Sequence, residues 1–108
     1  MTEYLQVITT TETREQAETI ARSVVEKRLA ACAQIVGPIS STYWWKDKIE
    51  TADEWLLLLK SRNDLYPDLE QAIRNIHPYE VPEIVALPIA HGSASYLQWM
   101  GAELRRNT

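Results

Sequence analysis

The sequence predicts an α+β fold in which strands and helices follow the order β-α-β-β-α-β, with one further helix at the C-terminal end. Three observations predict it. Residues 4–10, 33–60 and 83–90 are rich in strand-forming types, amphipathic segments at helical spacing separate them, and prolines interrupt two of the strands. The 108 residues are 45% hydrophobic and 24% charged, which is typical of one globular domain covering 1–108.

The first strand and helix are predicted near the N-terminus. Residues 4–10 alternate and contain Val, Ile and Thr, which favours a strand. Thr13 and Gln16 then form a capping-box pattern, in which each side chain binds a backbone N–H at the start of a helix. Apolar residues recur at helical spacing from Ala17 to Leu29, so we expect an amphipathic helix of about five turns.

The second and third strands form a predicted hairpin. Residues 33–45 contain Gly37-Pro38, and because proline cannot donate to a sheet ladder, this pair indicates an edge strand with a bulge. Residues 46–48 are typical of a hairpin turn. The third strand, residues 49–60, contains no proline and is apolar on both faces at residues 55–59, which predicts a central position.

The C-terminal part of the chain completes the pattern. Residues 64–76 predict the second helix, with Pro67 tolerated in its first turn. Pro78 and Pro82 make residues 77–84 a stiff extended connector, because each proline fixes its own φ and disfavours helix at the residue before it. Residues 83–90 predict a fourth strand at an edge, since Pro88 lies within it, and residues 93–104 predict the third helix.

This order is the split βαβ or ferredoxin-like pattern, in which the first and third strands are central in an antiparallel sheet. The strand prolines lie only on the predicted edges. Helices cover one face of such a sheet, yet residues 55–59 do not alternate, so something apolar should cover the other face. We therefore predict a homo-oligomer with an aromatic interface. Its expected members are Tyr43, Trp44, Trp45 and Trp55.

Charge and composition exclude several classes of function. The net charge of −4 and the lack of a long basic run argue against nucleic acid as the partner. Nucleobase stacking by Trp44 and Trp45 is therefore the less favoured alternative to an oligomer interface. Neither an export signal nor a long apolar span is recognised, so no membrane insertion is expected. Cys32 cannot form an internal disulfide, and we predict a cytoplasmic protein.

The proline-bounded connector carries an unusual density of polar groups for a surface loop, which predicts that it forms one wall of a metal or small-ligand site. His77 is a candidate ligand, or alternatively a residue that ends the second helix. Tyr79 and Glu83 either line the same cleft, or Tyr79 packs on a neighbouring aromatic while Glu83 pairs with a lysine at an interface. Lys60 either meets an anionic ligand or pairs with Glu83.

Few other residues suggest chemistry. Cys32 is expected to be a buried core thiol, and His91 a turn residue. No Gly-rich phosphate loop, serine nucleophile motif or paired metal-binding histidines are present in the sequence, so we do not expect an enzyme.

Four segments stand in an order that is typical of one known family. They are Arg28-Leu29-Ala30-Ala31-Cys32-Ala33, Tyr43-Trp44-Trp45 followed by Ile49-Glu50, Leu59-Lys60-Ser61, and His77-Pro78-Tyr79-Glu80-Val81-Pro82-Glu83-Ile84. Together they resemble the CutA divalent-cation tolerance proteins over essentially the whole chain. The resemblance implies a ferredoxin-like homotrimer that is similar in architecture to PII signalling proteins, with a role in tolerance of divalent metals, copper above all.

The chain departs from the family pattern at the copper site that the resemblance implies. That site uses a Cys near the end of the first strand and a His-His pair before the Pro-Tyr of the connector. Here the aligned positions hold Thr9 and Ile76-His77, so one of the three ligands remains. Asp47 also stands where family members often carry Gly in the hairpin turn, and Asp tolerates the left-handed conformation needed there.

Three hypotheses of function follow. The first is a cytosolic trimer that binds or responds to copper or another divalent cation, with His77 and Glu80 or Glu83 as metal donors. The second is a PII-like signal-transduction module that binds a small anionic metabolite in inter-subunit clefts lined by Lys60, His77, Tyr79 and Glu83. The third is a trimeric scaffold or membrane-protein anchor that binds no small ligand.

Overall fold

The computed structural model describes residues 3–106, which form a four-stranded sheet with three α-helices. The elements are β1 (Tyr4–Thr11), α1 (Arg14–Glu26), β2 (Cys32–Trp45), β3 (Lys48–Arg62), α2 (Tyr66–Ile76), β4 (Ile84–Pro88) and α3 (Ala94–Glu103). The strand order is β2-β3-β1-β4, and every neighbouring pair is antiparallel. The predicted α+β class, element order and edge strands are confirmed.

The predicted capping box starts α1. Thr13 Oγ1 accepts the Gln16 N–H at 3.1 Å, and Gln16 Oε1 accepts the Thr13 N–H at 3.2 Å. The predicted C-terminal end was too late. The helix ends at Glu26, because Arg28 adopts a left-handed φ of 57° and the Leu29 N–H turns back to Val24 O at 3.0 Å.

The hairpin between β2 and β3 has the predicted bulge and turn. The pairing register shifts between Val36 and Ile39, on either side of Gly37-Pro38. Gly37 is required there, because a Cβ at this position would lie 2.5 Å from the Trp55 ring. The turn residues Lys46 and Asp47 have φ of 50° and 63°, so Asp47 adopts the left-handed conformation that was expected of it.

The hydrophobic core lies between the sheet and the two helices α1 and α2. Val7, Leu57 and Leu59 face this core from the central strands and are fully buried. The helices contribute apolar residues at helical spacing, namely Ile20, Val24, Leu69, Ala72 and Ile73. We call the opposite side of the sheet the second face.

The second face is only partly covered within one chain. Helix α3 lies against one end of it, where the Tyr96 hydroxyl is 3.9 Å from Cys32 Sγ. Elsewhere the face exposes apolar side chains at its edge strands, with Val36, Val85 and Leu87 each between 45% and 49% exposed. The chain therefore leaves an apolar sheet surface open, as the non-alternating run 55–59 predicts.

The predicted ends of the last two elements needed correction. β4 covers Ile84–Pro88 rather than residues 83–90, although the Ile89 N–H still binds Tyr4 O at 3.0 Å. Helix α3 begins after Ser93, whose hydroxyl accepts the Tyr96 N–H. Within residues 3–106, no helix is sufficiently long and apolar to cross a membrane.

Candidate functional site

The connector, residues 77–83, leaves α2 at a defined point. The His77 N–H still donates to Ile73 O at 2.8 Å, while the His77 backbone is already extended, with φ −71° and ψ 134°. That conformation is what a following proline favours, and Pro78 supplies it. The helix end and the proline together direct the His77 ring toward the end of β1.

Both ring nitrogens of His77 are occupied. Nε2 lies 2.8 Å from Thr10 O, and Nδ1 lies 3.1 Å from the Tyr79 backbone nitrogen. Because the Tyr79 N–H can only donate, Nδ1 accepts and Nε2 carries the proton. Burial lowers the pKa of His77, while the Thr10 carbonyl and the Glu54 charge oppose this shift. The neutral ring therefore links the connector to β1 through two hydrogen bonds, and neither nitrogen has a free lone pair.

Tyr79 joins the connector to the central strand β3. Its hydroxyl donates to Glu54 Oε2 at 2.8 Å, and its ring packs on the His77 ring with centroids 4.9 Å apart. Burial raises the pKa of Tyr79 well above its usual range, and the hydrogen bond to Glu54 and the charge of that carboxylate raise it further. The phenol is a hydrogen-bond donor throughout the physiological pH range.

Glu54, the partner of Tyr79, is only 9% exposed and was not predicted as a site residue. The available signal was a carboxylate directly before the apolar run 55–59 of a central strand, where a charge is unexpected. Thr10 could not be predicted from its residue type, because it contributes its backbone carbonyl rather than its side chain.

The proposed metal donors do not form a ligand set within one chain. Glu80 and Glu83 are exposed, and His77 is buried with both nitrogens bonded. Among residues 3–106, no three His, Cys, Asp or Glu side chains are grouped so that they could hold a metal ion. Thr9, where the resemblance led us to expect a Cys ligand, is fully buried. A metal site that involves several chains stays a prediction.

The residues predicted to line one cleft lie at two ends of the sheet. Lys60 Nζ donates to Gln34 Oε1 at 2.9 Å, and in the sheet register Lys60 of β3 lies opposite Gln6 of β1. The connector instead follows the other end of β1, near Thr10. Among the described residues, Lys60 and Glu83 form no ion pair.

The prediction for Cys32 was wrong in part, whereas the position of His91 is close to the predicted one. Cys32 is half-buried beside Tyr96 rather than fully buried in the core, because β2 points its side chain toward the second face. His91 is exposed and lies in the irregular segment before α3, which agrees with a turn-like role.

The aromatic residues of the hairpin divide into two groups. Tyr43, Trp44 and Trp45 lie near the hairpin tip and are exposed, Trp44 by 72%. Trp55 is half-buried and contacts its own chain, where the Arg14 guanidinium carbon lies 5.7 Å from the Trp55 ring centroid. The tip aromatics are therefore largely exposed within one chain, although Lys46 Nζ lies 5.7 Å from the Trp45 ring centroid.

The fold and sequence match one protein family. The model of the CutA1 divalent ion tolerance protein family matches residues 5–103. The divalent-cation tolerance protein CutA of Thermus thermophilus is 46% identical over 102 residues, which cover 94% of this chain and 95% of that protein. The solved structure of CutA1 from Oryza sativa superposes with a TM-score of 0.95 at 37% identity, and the match covers 98% of this chain and 97% of that one.

The mammalian relatives are longer. Human protein CutA is 50% identical over 84 residues, which are 78% of this chain but 47% of the human protein. The chain thus spans about half the length of the mammalian relatives that it matches. The near full-length match to the bacterial relative and the match of the family model over most of the described residues agree with each other. The chain belongs to the CutA1 divalent ion tolerance protein family.

Proposed function

We propose that this chain acts as a cytoplasmic homotrimer in the tolerance of divalent cations. The observation that carries the proposal is the uncovered apolar surface, formed by the second face and the aromatic hairpin tip, on a chain of this family. Burying that surface against other copies removes it from water and stabilises the assembly. Light scattering at micromolar concentration should give about three times the chain mass of 12.4 kDa. A monomer mass would refute the proposal.

The cytoplasmic location is a separate part of the proposal. A half-buried thiol without a disulfide partner among the described residues suits a reducing compartment. Relatives carry different compartments in their names, including a chloroplastic protein of rice and a periplasmic one of Archaeoglobus fulgidus. Fractionation of the producing cells, with a cytoplasmic and a membrane marker, tests this location directly. Recovery outside the cytoplasmic fraction would contradict it.

We also propose that the protein binds or responds to cations and does not catalyse a reaction. Besides the exposed carboxylates Glu80 and Glu83, the connector carries two groups that could transfer protons, His77 and Tyr79. Both nitrogens of His77 are hydrogen-bonded, and Tyr79 holds its proton with a raised pKa. These properties suit a structural role better than acid–base catalysis near neutral pH.

The metal part of the proposal places copper or another divalent cation at the connector, with His77, Glu80 and Glu83 as donors supplemented by a neighbouring chain. His77 can bind a metal only if its ring gives up Thr10 O or the Tyr79 N–H. Calorimetric titration with Cu(II) and Zn(II) should compare the wild type with His77→Ala. His91→Ala is the matched control, since His91 is exposed.

Saturable binding that His77→Ala abolishes and His91→Ala retains would support a direct metal site. Equally weak binding in all three proteins would refute it. Metal tolerance would then arise through something other than donors of this polypeptide.

A second candidate is a PII-like module that binds a small anionic metabolite between subunits. What supports it is Lys60, whose ammonium contacts a neutral amide and no carboxylate among residues 3–106. Phosphate, citrate and ATP can be tested by thermal shift, because a ligand that binds the folded protein raises its melting temperature. A shift that Lys60→Met removes would favour this module, and no shift with any of the three would count against it.

A further inference from the structure

A stripe of four side chains on β3 has a distinctive charge pattern. Because side chains alternate along a strand, Glu54, Leu56, Leu58 and Lys60 all point to the second face. The stripe therefore has a carboxylate at one end, an ammonium at the other and two leucines between them. Six residues of extended strand separate the charged ends by about 20 Å. The two charges cannot neutralise each other within one chain.

The carboxylate end of the stripe lacks a cation. Glu54 is 9% exposed, and its described hydrogen bond comes from the neutral Tyr79 hydroxyl. No Lys, Arg or His among residues 3–106 lies within 4.0 Å of its oxygens. Burying an ionised carboxylate is costly unless a cation or several donors compensate it. A cation from outside the chain would therefore stabilise the buried Glu54 carboxylate.

The ammonium end of the stripe has the opposite deficiency. Lys60 Nζ donates to the neutral Gln34 amide, although an ammonium carries three donors and a full charge. By contrast, five arginines of the described chain are paired with carboxylates: Arg14, Arg22, Arg28, Arg62 and Arg105. Lys60 thus has no carboxylate partner among residues 3–106, and it lies on the same face as the buried Glu54 carboxylate, which has no cation there.

We propose that Lys60 of one copy of the chain binds the Glu54 carboxylate of a neighbouring copy. The contact would bring the apolar middle of the stripe, together with the exposed Val85 and Leu87, against the second face of the next chain. Each chain offers one carboxylate and one ammonium, so head-to-tail contacts of this kind can close into a ring. The inference rests on the proposed homotrimer and assigns to it a specific charged contact.

A charge-reversal cycle tests this contact. Lys60→Glu places two carboxylates at the contact and Glu54→Lys places two ammonium groups there, whereas the double variant restores opposite charges. Each variant is diluted in urea, which carries no charge and does not screen the pair, and its mass is followed by sedimentation. Lys27→Glu is the matched control, because Lys27 is exposed at the end of α1 and lies outside the stripe.

We expect each single reversal to raise the dissociation constant of the assembly by at least about tenfold. The double variant should recover most of that loss, and Lys27→Glu should assemble like the wild type. Circular dichroism at each dilution checks that the chains remain folded. If a reversed chain does not fold, the neutral cycle of Glu54→Gln and Lys60→Met replaces it, since Gln still offers an acceptor to Tyr79.

The outcomes separate this inference from the proposed trimer. A double variant as weak as the sum of the two singles would overturn the contact while leaving the oligomer intact. Single variants that assemble like the wild type would also overturn it. A wild type that is monomeric would remove the trimer and this contact together.

Discussion

Replacing Thr9 by Val should stabilise the protein. Thr9 is fully buried on the core side of β1, and its Oγ1 is the buried side-chain polar atom without a hydrogen-bond partner among residues 3–106. A buried hydroxyl without a partner costs about 1–3 kcal/mol of desolvation free energy. Val has nearly the same shape and a high preference for strands, so Thr9→Val should recover most of that cost.

Thr11→Val is a matched control on the same strand. Thr11 is also fully buried and points to the same side, but its Oγ1 donates to Thr13 O at 2.8 Å. The same substitution there removes a hydrogen bond and should destabilise the protein by about 1 kcal/mol. The two variants thus isolate the effect of one hydrogen bond, because residue type, burial and strand are the same.

Urea unfolding of the wild type and both variants measures these free energies. All three are compared at one protein concentration, because the stability of an oligomer depends on concentration. A change of 1 kcal/mol should shift the melting temperature by about 4–8 °C in a domain of this size. Destabilisation by Thr9→Val would refute the reasoning, since it would mean that the Thr9 hydroxyl has a partner, such as an ordered water.

Three further predictions concern the connector and the hairpin. Burial lowers the pKa of His77 below 6.5, so as the pH falls the unfolded state takes up a proton before the folded state does. The free energy of unfolding should therefore be highest above about pH 6.5 and fall as the pH drops below it. Urea titrations should show a weaker pH dependence for His77→Gln, and the same pH dependence in both proteins would contradict this. Tyr79→Phe should lower the free energy of unfolding by about 1.5–3 kcal/mol, because the buried Glu54 carboxylate loses its hydrogen-bond donor. A calorimetric melting temperature near that of the wild type would argue against a stabilising role of this hydrogen bond. Gly37→Ala should destabilise the fold by about 1–3 kcal/mol, because its Cβ would overlap the Trp55 ring, and an unaltered urea midpoint would exclude the clash.

Most of the secondary structure could be predicted, because local chemistry decides it. The Thr13–Gln16 capping box and the Gly37-Pro38 bulge are both present where the sequence predicts them. The late end predicted for α1 shows the limit of this reasoning. Arg28 adopts a left-handed conformation that favours Gly, and its guanidinium reaches Glu103 in α3, a contact that hydrophobic periodicity does not report.

The candidate site was predicted in part. The prolines predicted the extended backbone that follows α2, since they act through local geometry, whereas a functional site in the connector stays a prediction. The partners of His77 and Tyr79 could not be predicted, because they lie far away in the chain, at Thr10 on β1 and Glu54 on β3. The same long-range packing separates Lys60 from the connector.

The sequence by itself determined the order of the elements, the edge strands and the stiffness of the connector, because each follows from proline, glycine and apolar periodicity over a few residues. Only the tertiary structure decided the state of the charged and polar side chains. In the folded chain both nitrogens of His77 are hydrogen-bonded, the buried Glu54 accepts from Tyr79, and Lys60 donates to a neutral amide. The physical reason is that hydrogen bonding and desolvation depend on which distant strands come together. Pairing of β1 with β3 and β4, and of β2 with β3, brings those residues into place.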